Sequence, residues 1–325
     1  MIPIRIAGTG SALPRRSLET RQLVEAAFPG ADPAALRKTE DRTGISTRHW
    51  IEPGETAAGL ATQAMRAALE RAALEPVALR RIVLASSTGG DHLVPATATD
   101  VAGNLGLSDS CDAFDISNSC VGFLSAFDIG ARSVGTGTGP VGVVAVETFS
   151  RNLSTDGPRA YVVLGDAAAA AVLVPAKTGG MVASHLRVCD QLRGKMTMAI
   201  PGAAGARPYH DFDARTRDLT ESAFTCIGKS INQVLATAEL SLEQIDWVLV
   251  HQPNGSLFQE LIRALRISPE KTVPIVREVG SIGSASVPTS LDRLMRTRPI
   301  QKGHRILMAS VGAGTSYGAI VYEVG

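Results

Sequence analysis

The chain has 325 residues, of which 45% are hydrophobic and 19% charged, so it has ample material for a large core and is not a disordered, solvating chain. Its 32 Lys and Arg stand against 31 Asp and Glu, and a net charge of +1 provides no global field to draw in nucleic acid or an anionic membrane. At this length two domains, or two halves sharing a core, are expected.

The N-terminal M-I-P-I-R-I-A-G-T-G lacks the charged-then-apolar order of a signal peptide. No apolar run reaches the roughly 18 residues of a membrane span, so a cytoplasmic protein is predicted. Ala57 to Arg71 carries Leu and Met at helical spacing, and Leu79 to Ser86 reads as a buried strand. A small-residue turn and helix from Ser119 to Arg132 come next, then strands at Val141 to Val146 and near A-A-A-V-L-V. The pattern recurs downstream. A helix over Ser222 to Leu240 leads to a strand over Ile245 to Val250, then to G-S-I-G-S-A-S-V-P-T-S-L-D-R-L, a strand at Arg305 to Ser310, and Y-G-A-I-V-Y-E-V. The chain reads as a duplicated α/β unit joined near residues 175 to 180, with halves 1–177 and 178–325. Strand C-terminal ends from both halves then face one crevice, where open α/β sheets bind ligands. Arg187 to Thr220, without a period, reads as a long excursion over that crevice.

Cys111, Cys120, Cys189 and Cys226 form no C-x-x-C pair, so neither a zinc site nor a disulfide framework is indicated and reduced thiols are expected. Cys120, in I-S-N-S-C-V-G-F, opens a helix, where backbone N–H groups favour a thiolate and hence a nucleophile. The competing reading is a buried structural cysteine. His251, in L-V-H-Q-P-N, closes a buried strand where the first half has Ser87, and the duplication aims it at the same crevice as Cys120.

The motifs A-G-T-G-S-A-L-P, D-R-T-G-I-S-T-R-H, A-F-D-I-S-N-S-C-V-G-F, L-G-D-A-A-A-A-A-V-L, D-W-V-L-V-H-Q-P-N and V-G-A-G-T-S-Y-G occur in this order over nearly the whole length. Through them the chain resembles the β-ketoacyl carrier-protein synthase III branch of the thiolase superfamily. The resemblance implies a thiolase fold of layered αβαβα type, a homodimer, and ping-pong acyl transfer in which Cys120 takes an acyl group from a thioester. It makes His251 the base or hydrogen-bond donor. The N–H groups of Cys120 and of the Gly312 to Gly314 turn, at Ala313, would hold the oxyanion. It implies no permanently bound cofactor and no metal. The donor is a phosphopantetheine thioester, on an acyl carrier protein, a polyketide synthase carrier domain or coenzyme A.

The sequence also departs from that pattern. Where the family carries an Asn in G-N-T-S-A-A-S-x-P, this chain has Ser281 in G-S-I-G-S-A-S-V-P. Losing one donor to a developing oxyanion slows a step by about 10²- to 10³-fold, so malonyl decarboxylation should suffer while acylation of Cys120 survives. Members of the resembled superfamily with an altered third residue include acyltransferases of natural-product pathways that form esters or amides, some moving aromatic polyketide acyl groups. The resemblance thus favours acyl transfer to a hydroxyl or amine acceptor in natural-product biosynthesis, with His251 as general base. In the competing reading Ser281 is a tolerated change, with Asn254 and a water supplying the missing bond to a decarboxylating synthase. A third reading is a noncatalytic subunit of a synthase assembly.

Arg42 and Arg151 match arginines that flank the coenzyme A nucleotide in the family, but the stacking tryptophan falls at Lys38 and a basic carrier contact at Ser256. Arg207, Arg215 and Arg217 in the excursion are candidates to meet a phosphopantetheine phosphate, against a simple solvated role. Val94 falls at an acyl-pocket position that reaches across the dimer. H-D-F-D (His210 to Asp213) is read as a charged loop rather than a metal site, and G-T-G-S and V-G-T-G-T-G lack a nucleotide-binding context.

Overall fold

The computed structural model describes the backbone of all residues except 31, 190–196, 212–215 and 314–315, and the side chains of these residues other than 33, 35, 36 and 216–219. Its strands are β1 (Ile4–Ala12), β2 (Arg16–Glu19), β3 (Thr47–Trp50), β4 (Arg81–Ala85), β5 (Asp112–Ile116), β6 (Val141–Glu147), β7 (Ala167–Pro175), β8 (Gly180–Val188), β9 (Trp247–Val250), β10 (Arg305–Val311) and β11 (Ser316–Glu323). They form a five-stranded sheet in the order β1-β7-β6-β4-β5, a four-stranded sheet in the order β8-β11-β10-β9, and the hairpin β2-β3.

The two large sheets repeat one plan. In the first, β7 runs antiparallel to β1 and β6, and β6 lies parallel to β4. In the second, β11 runs antiparallel to β8 and β10, and β10 lies parallel to β9. β5 extends only the first sheet. The Val- and Ala-rich runs of β4, β6 and β7 are apolar without alternation because both of their faces are covered.

Helices fill three of the five layers, and the two large sheets form the others. Ala57–Ala72 and Thr97–Asn104 cover the outer face of the first sheet, sharing a core with Leu84, Val144 and Val172. Gly122–Gly135 and Ser286–Thr297 lie between the sheets, where Phe123, Phe127 and Leu291 meet Val143, Met308 and Ile320. Thr216–Ala238 and Gly255–Ala264 cover the outer face of the second, with Ile231 and Phe258 against Val248 and Leu307. Two glycines set the first outer contact. A Cβ on Gly8 or Gly10 would lie 2.2 Å from the carbonyl oxygen of Ala68 or Ala64, so only glycine lets that helix rest on β1.

The elements expected from the sequence form with shifted ends. The strand expected over Leu79–Ser86 occupies Arg81–Ala85, and the strand expected over Ile245–Val250 begins at Trp247. Cys120 does not open the helix directly. A 3-10 turn, Ser119–Val121, precedes Gly122–Gly135.

Candidate active site

Cys120 sits in that turn. Ser119 before it has φ of +48°, a left-handed conformation costly for a residue with a Cβ, which kinks the chain away from β5. The turn is fastened to the other half, since Ser310 Oγ, near the end of β10, donates to the Cys120 carbonyl at 2.8 Å. Gly312 passes so close that a Cβ on it would lie 3.1 Å from the Cys120 nitrogen and 2.9 Å from Ser119 Cβ.

His251 follows β9, and its N–H continues the sheet by donating to the Ala309 carbonyl at 3.0 Å. The registers Val250 to Ala309 and Ala85 to Ala145 make Ser86, one residue before the expected Ser87, its counterpart in the first half. Ser281 is held in a bridge to the loop before β7. Its N–H donates to Val163 O at 2.9 Å and its carbonyl accepts from Gly165 N–H at 3.0 Å.

These pieces converge on one cavity of about 440 Å³. Its walls include Ser87, Cys120, His251, Asn254, Ser281 and Ala313, and beyond them Phe149, Phe224, Leu257 and Leu261, so a polar reacting end opens into an apolar chamber. Thus Cys120 and His251, 131 positions apart in the sequence, line the same space.

The electrostatics overturn one expectation. The Cys120 thiol is not poised as a thiolate by a helix end; it is pushed up to about 12, first by burial and then by the negative charge of Glu147. Hydrogen bonds to the sulfur from Ser119 and from the N–H groups of Ala313 and Cys120 itself act the other way and do not prevail. Cys120 retains some surface toward the cavity, yet its sulfur is enclosed. Burial likewise lowers His251 to about 4, and its Nδ1 is buried with no hydrogen-bond partner. At neutral pH the resting pair is a thiol and a neutral imidazole, not an ion pair.

The other expected residues spread out. Asn254 lines the cavity, but its side-chain oxygen accepts from Leu257 N–H at 2.8 Å and so caps the helix Gly255–Ala264. Arg151 lies off the cavity. It pairs with Asp91 and donates to Gly90 O at 3.2 Å, and Asp91 in turn accepts from Ala57 and Ala58 N–H, so this arginine braces a helix start. Arg42 and Lys38 are exposed on the helix Pro33–Thr43, outside the cavity wall, and the Arg42 carbonyl accepts from Ser256 Oγ at 2.6 Å. Val94 is 81% exposed, next to Leu93 at 99%. Arg207 pairs with Asp211 and stacks on Tyr209. Arg215 and Asp213 lie outside the described residues, as does the Arg217 side chain. His210 is buried with neither ring nitrogen bonded, edge-on to Phe149. Among the described residues no group of three or more His, Cys, Asp or Glu could hold a metal ion, and no helix is long and apolar enough to cross a membrane.

Sequence reasoning missed Arg159, which lines the cavity, and Glu147. The signal for Glu147 was present: V-G-V-V-A-V-E ends a wholly buried strand in a charge.

Two family models match the chain: 3-oxoacyl-[acyl-carrier-protein] synthase III over residues 114–188, and the C-terminal model of the same family over 235–324. The chain is 33% identical to a β-ketoacyl-[acyl-carrier-protein] synthase III of Sphingopyxis alaskensis, with 98% of each chain covered. Among solved structures it is similar to 3-oxoacyl-[acyl-carrier-protein] synthase III of Aquifex aeolicus, with a TM-score of 0.89 and 28% identity over 98% of this chain and 99% of that one. It is also similar to the priming β-ketosynthase of the R1128 polyketide pathway, with a TM-score of 0.89 and 26% identity over 99% and 96%.

Proposed function

The chain belongs to the 3-oxoacyl-[acyl-carrier-protein] synthase III family, with its α/β thiolase fold, and on that premise we propose that it is an acyltransferase acting on oxygen or nitrogen. An acyl group, of aromatic polyketide type, passes from a carrier-protein or coenzyme A thioester to Cys120 and then to a hydroxyl or amine of a small natural-product intermediate. Residues 1–177 and 178–325 are the two halves, the sheets changing over between Pro175 and Gly180. The enzyme works as a homodimer, for which the exposed Leu93 and Val94 are contact candidates.

His251, neutral because it is buried, takes the Cys120 proton as the sulfur attacks the thioester carbonyl. The N–H groups of Cys120 and Ala313, already directed at the sulfur, receive the oxyanion, and the donor thiol leaves with the proton. In the second half the acceptor attacks acyl-Cys120 and gives its proton to His251, and the sulfur departs. Arg159, which lines the cavity as Arg42 and Arg151 do not, is a candidate for the donor's phosphate.

The observation that carries this reading is Ser281 on the cavity wall beside Cys120 and His251, with Asn254 engaged in a helix cap. A hydroxyl so placed offers a weaker cradle for an enolate than an amide does, while Cys120, His251 and Ala313, the groups this reading assigns to acylation, line the same cavity. The likeness to condensing synthases supports a second reading, carbon-carbon bond formation with a malonyl thioester. Incubation with malonyl carrier protein and an acyl donor separates the two. We expect an acyl adduct by intact-protein mass spectrometry, lost in Cys120→Ala, with no carbon dioxide release. A β-ketoacyl product with carbon dioxide establishes the second reading instead, and absence of any Cys120 adduct overturns both.

A further inference from the structure

Glu147 is wholly buried at the end of β6, directly behind the reacting end of the cavity. Its carboxyl oxygens face only donors. Oε1 accepts from Ser284 N–H at 3.0 Å, Ser284 Oγ at 2.5 Å and Ser87 Oγ at 2.8 Å, while Oε2 accepts from Ser87 N–H at 3.0 Å and Thr88 N–H at 3.2 Å. Burial pushes the acid up and the Ser284 and Ser87 donors offset this only in part; the cage itself, three backbone N–H groups and two hydroxyls directed at the carboxyl oxygens, is one that an ionised carboxylate fills. The cage spans the two halves, because Ser87 and Thr88 follow β4 whereas Ser284 belongs to the 3-10 turn Gly283–Ala285, just after Ser281.

That turn is in close contact with both sides. A Cβ on Gly283, at φ of +50°, would lie 2.9 Å from Glu147 Oε1, and one on Gly122, two residues after Cys120, would lie 3.4 Å from Ser284 Cβ. Ser284 is thus wedged between the carboxylate and the start of the helix that follows the cysteine. We propose that Glu147 is a positioning residue: its carboxylate clasps Ser284 to Ser87 and Thr88, and thereby sets where Ser281 stands relative to Cys120. The clasp rests on the reading of Cys120 and Ser281 as reacting-end residues, with the Ser281 hydroxyl orienting the water or acceptor that attacks acyl-Cys120, but not on which acceptor is used.

The same residue acts on the thiol. Of the ionisable groups around the cavity, His251 is neutral and Arg159 on its wall would favour a Cys120 thiolate, whereas Glu147 is the charge that opposes one. Positioning and charge can therefore be separated, and neither readout needs the natural acceptor. The first is carboxamidomethylation of Cys120 by iodoacetamide at pH 9, followed by peptide mass. The second is discharge to water of acetyl-Cys120 loaded from p-nitrophenyl acetate.

Glu147→Gln should alkylate about tenfold faster, the change expected for one pKa unit, yet discharge about tenfold more slowly. Ser284→Ala, which keeps the charge, should alkylate at the parent rate but discharge several-fold more slowly. Combined with Ser281→Ala it should cause no further loss, since both changes act on the same group. Losses in Ser281→Ala and Ser284→Ala that add, or a Ser284→Ala variant that discharges at the parent rate, overturn the proposal. So does a Glu147→Gln variant in which both rates fall in parallel with the melting temperature, the behaviour of a purely structural acid. If Glu147→Gln does not fold, the two serine variants decide.

Discussion

The two halves use the same architectural device for opposite ends. Each sends a 3-10 turn into a helix between the sheets, Ser119–Val121 into Gly122–Gly135 and Gly283–Ala285 into Ser286–Thr297. In the first half the turn presents a thiol to the cavity; in the second it presents Ser284 to Glu147, where its hydrogen bonds are satisfied. The ends of the parallel strands show the contrast with the halves exchanged. After β4, Ser87 and Thr88 are engaged with Glu147, whereas after β9 the His251 ring is buried with Nδ1 unpaired. A buried polar atom left without a partner costs stability, and here that cost falls on a cavity-lining residue, the proposed base. Each half thus supplies one satisfied element, Ser87 with Thr88 in the first and Ser284 in the second, and one that opens on the cavity, Cys120 in the first and His251 in the second.

Replacing the residue that breaks the family pattern should have the largest effect on this contrast. Ser281→Asn supplies an amide donor at the cavity wall, and release of carbon dioxide from malonyl carrier protein should rise about 10²- to 10³-fold over the parent, measured with labelled malonate. No rise would mean that another feature sets the reaction. Gly312→Ala comes next. The new methyl would crowd the Cys120 nitrogen at 3.1 Å, so acylation of Cys120 should fall about 10²-fold in single-turnover mass measurements, the scale of losing one oxyanion donor. An unchanged acylation rate would remove that N–H from the mechanism.

Much of this contrast was legible in the sequence. The duplicated order of strands follows from apolar runs bounded by small-residue turns, and the placement of Cys120 and His251 on one cavity follows from the duplication. The ionisation of the pair was not legible. Proximity to a helix start favours a thiolate, but burial and Glu147 outweigh it, and both depend on three-dimensional enclosure. Arg151 shows the same limit, because its match to a family position gave no sign that Asp91 lies beside it at the start of the helix Ala57–Ala72. Nor were β1, β2, β3, β5 and β8 anticipated. β1 carries four polar or glycine residues in G-T-G-S, which hide its strand character; it pairs with β7, and its glycines admit a helix against it.

The state of His251 can be tested through stability. Its folded value of about 4 lies below the ordinary 6.5, so the unfolded chain binds this proton more readily, and the histidine's contribution is lost as pH falls from about 6.5 toward 4. The full difference corresponds to about 3 kcal/mol. Denaturant unfolding of the parent and of His251→Gln should therefore give stabilities that converge or cross toward the variant as pH drops from 7 to 4.5. Comparison with the variant matters, because Asp166, raised by burial to about 6, works in the opposite direction over the same range. Activity should persist to pH 5.5, with the base still neutral. A stability difference independent of pH would mean that the imidazole is solvated or paired, and the contrast between the satisfied end of β4 and the unsatisfied end of β9 would fail at the residue on which it most depends.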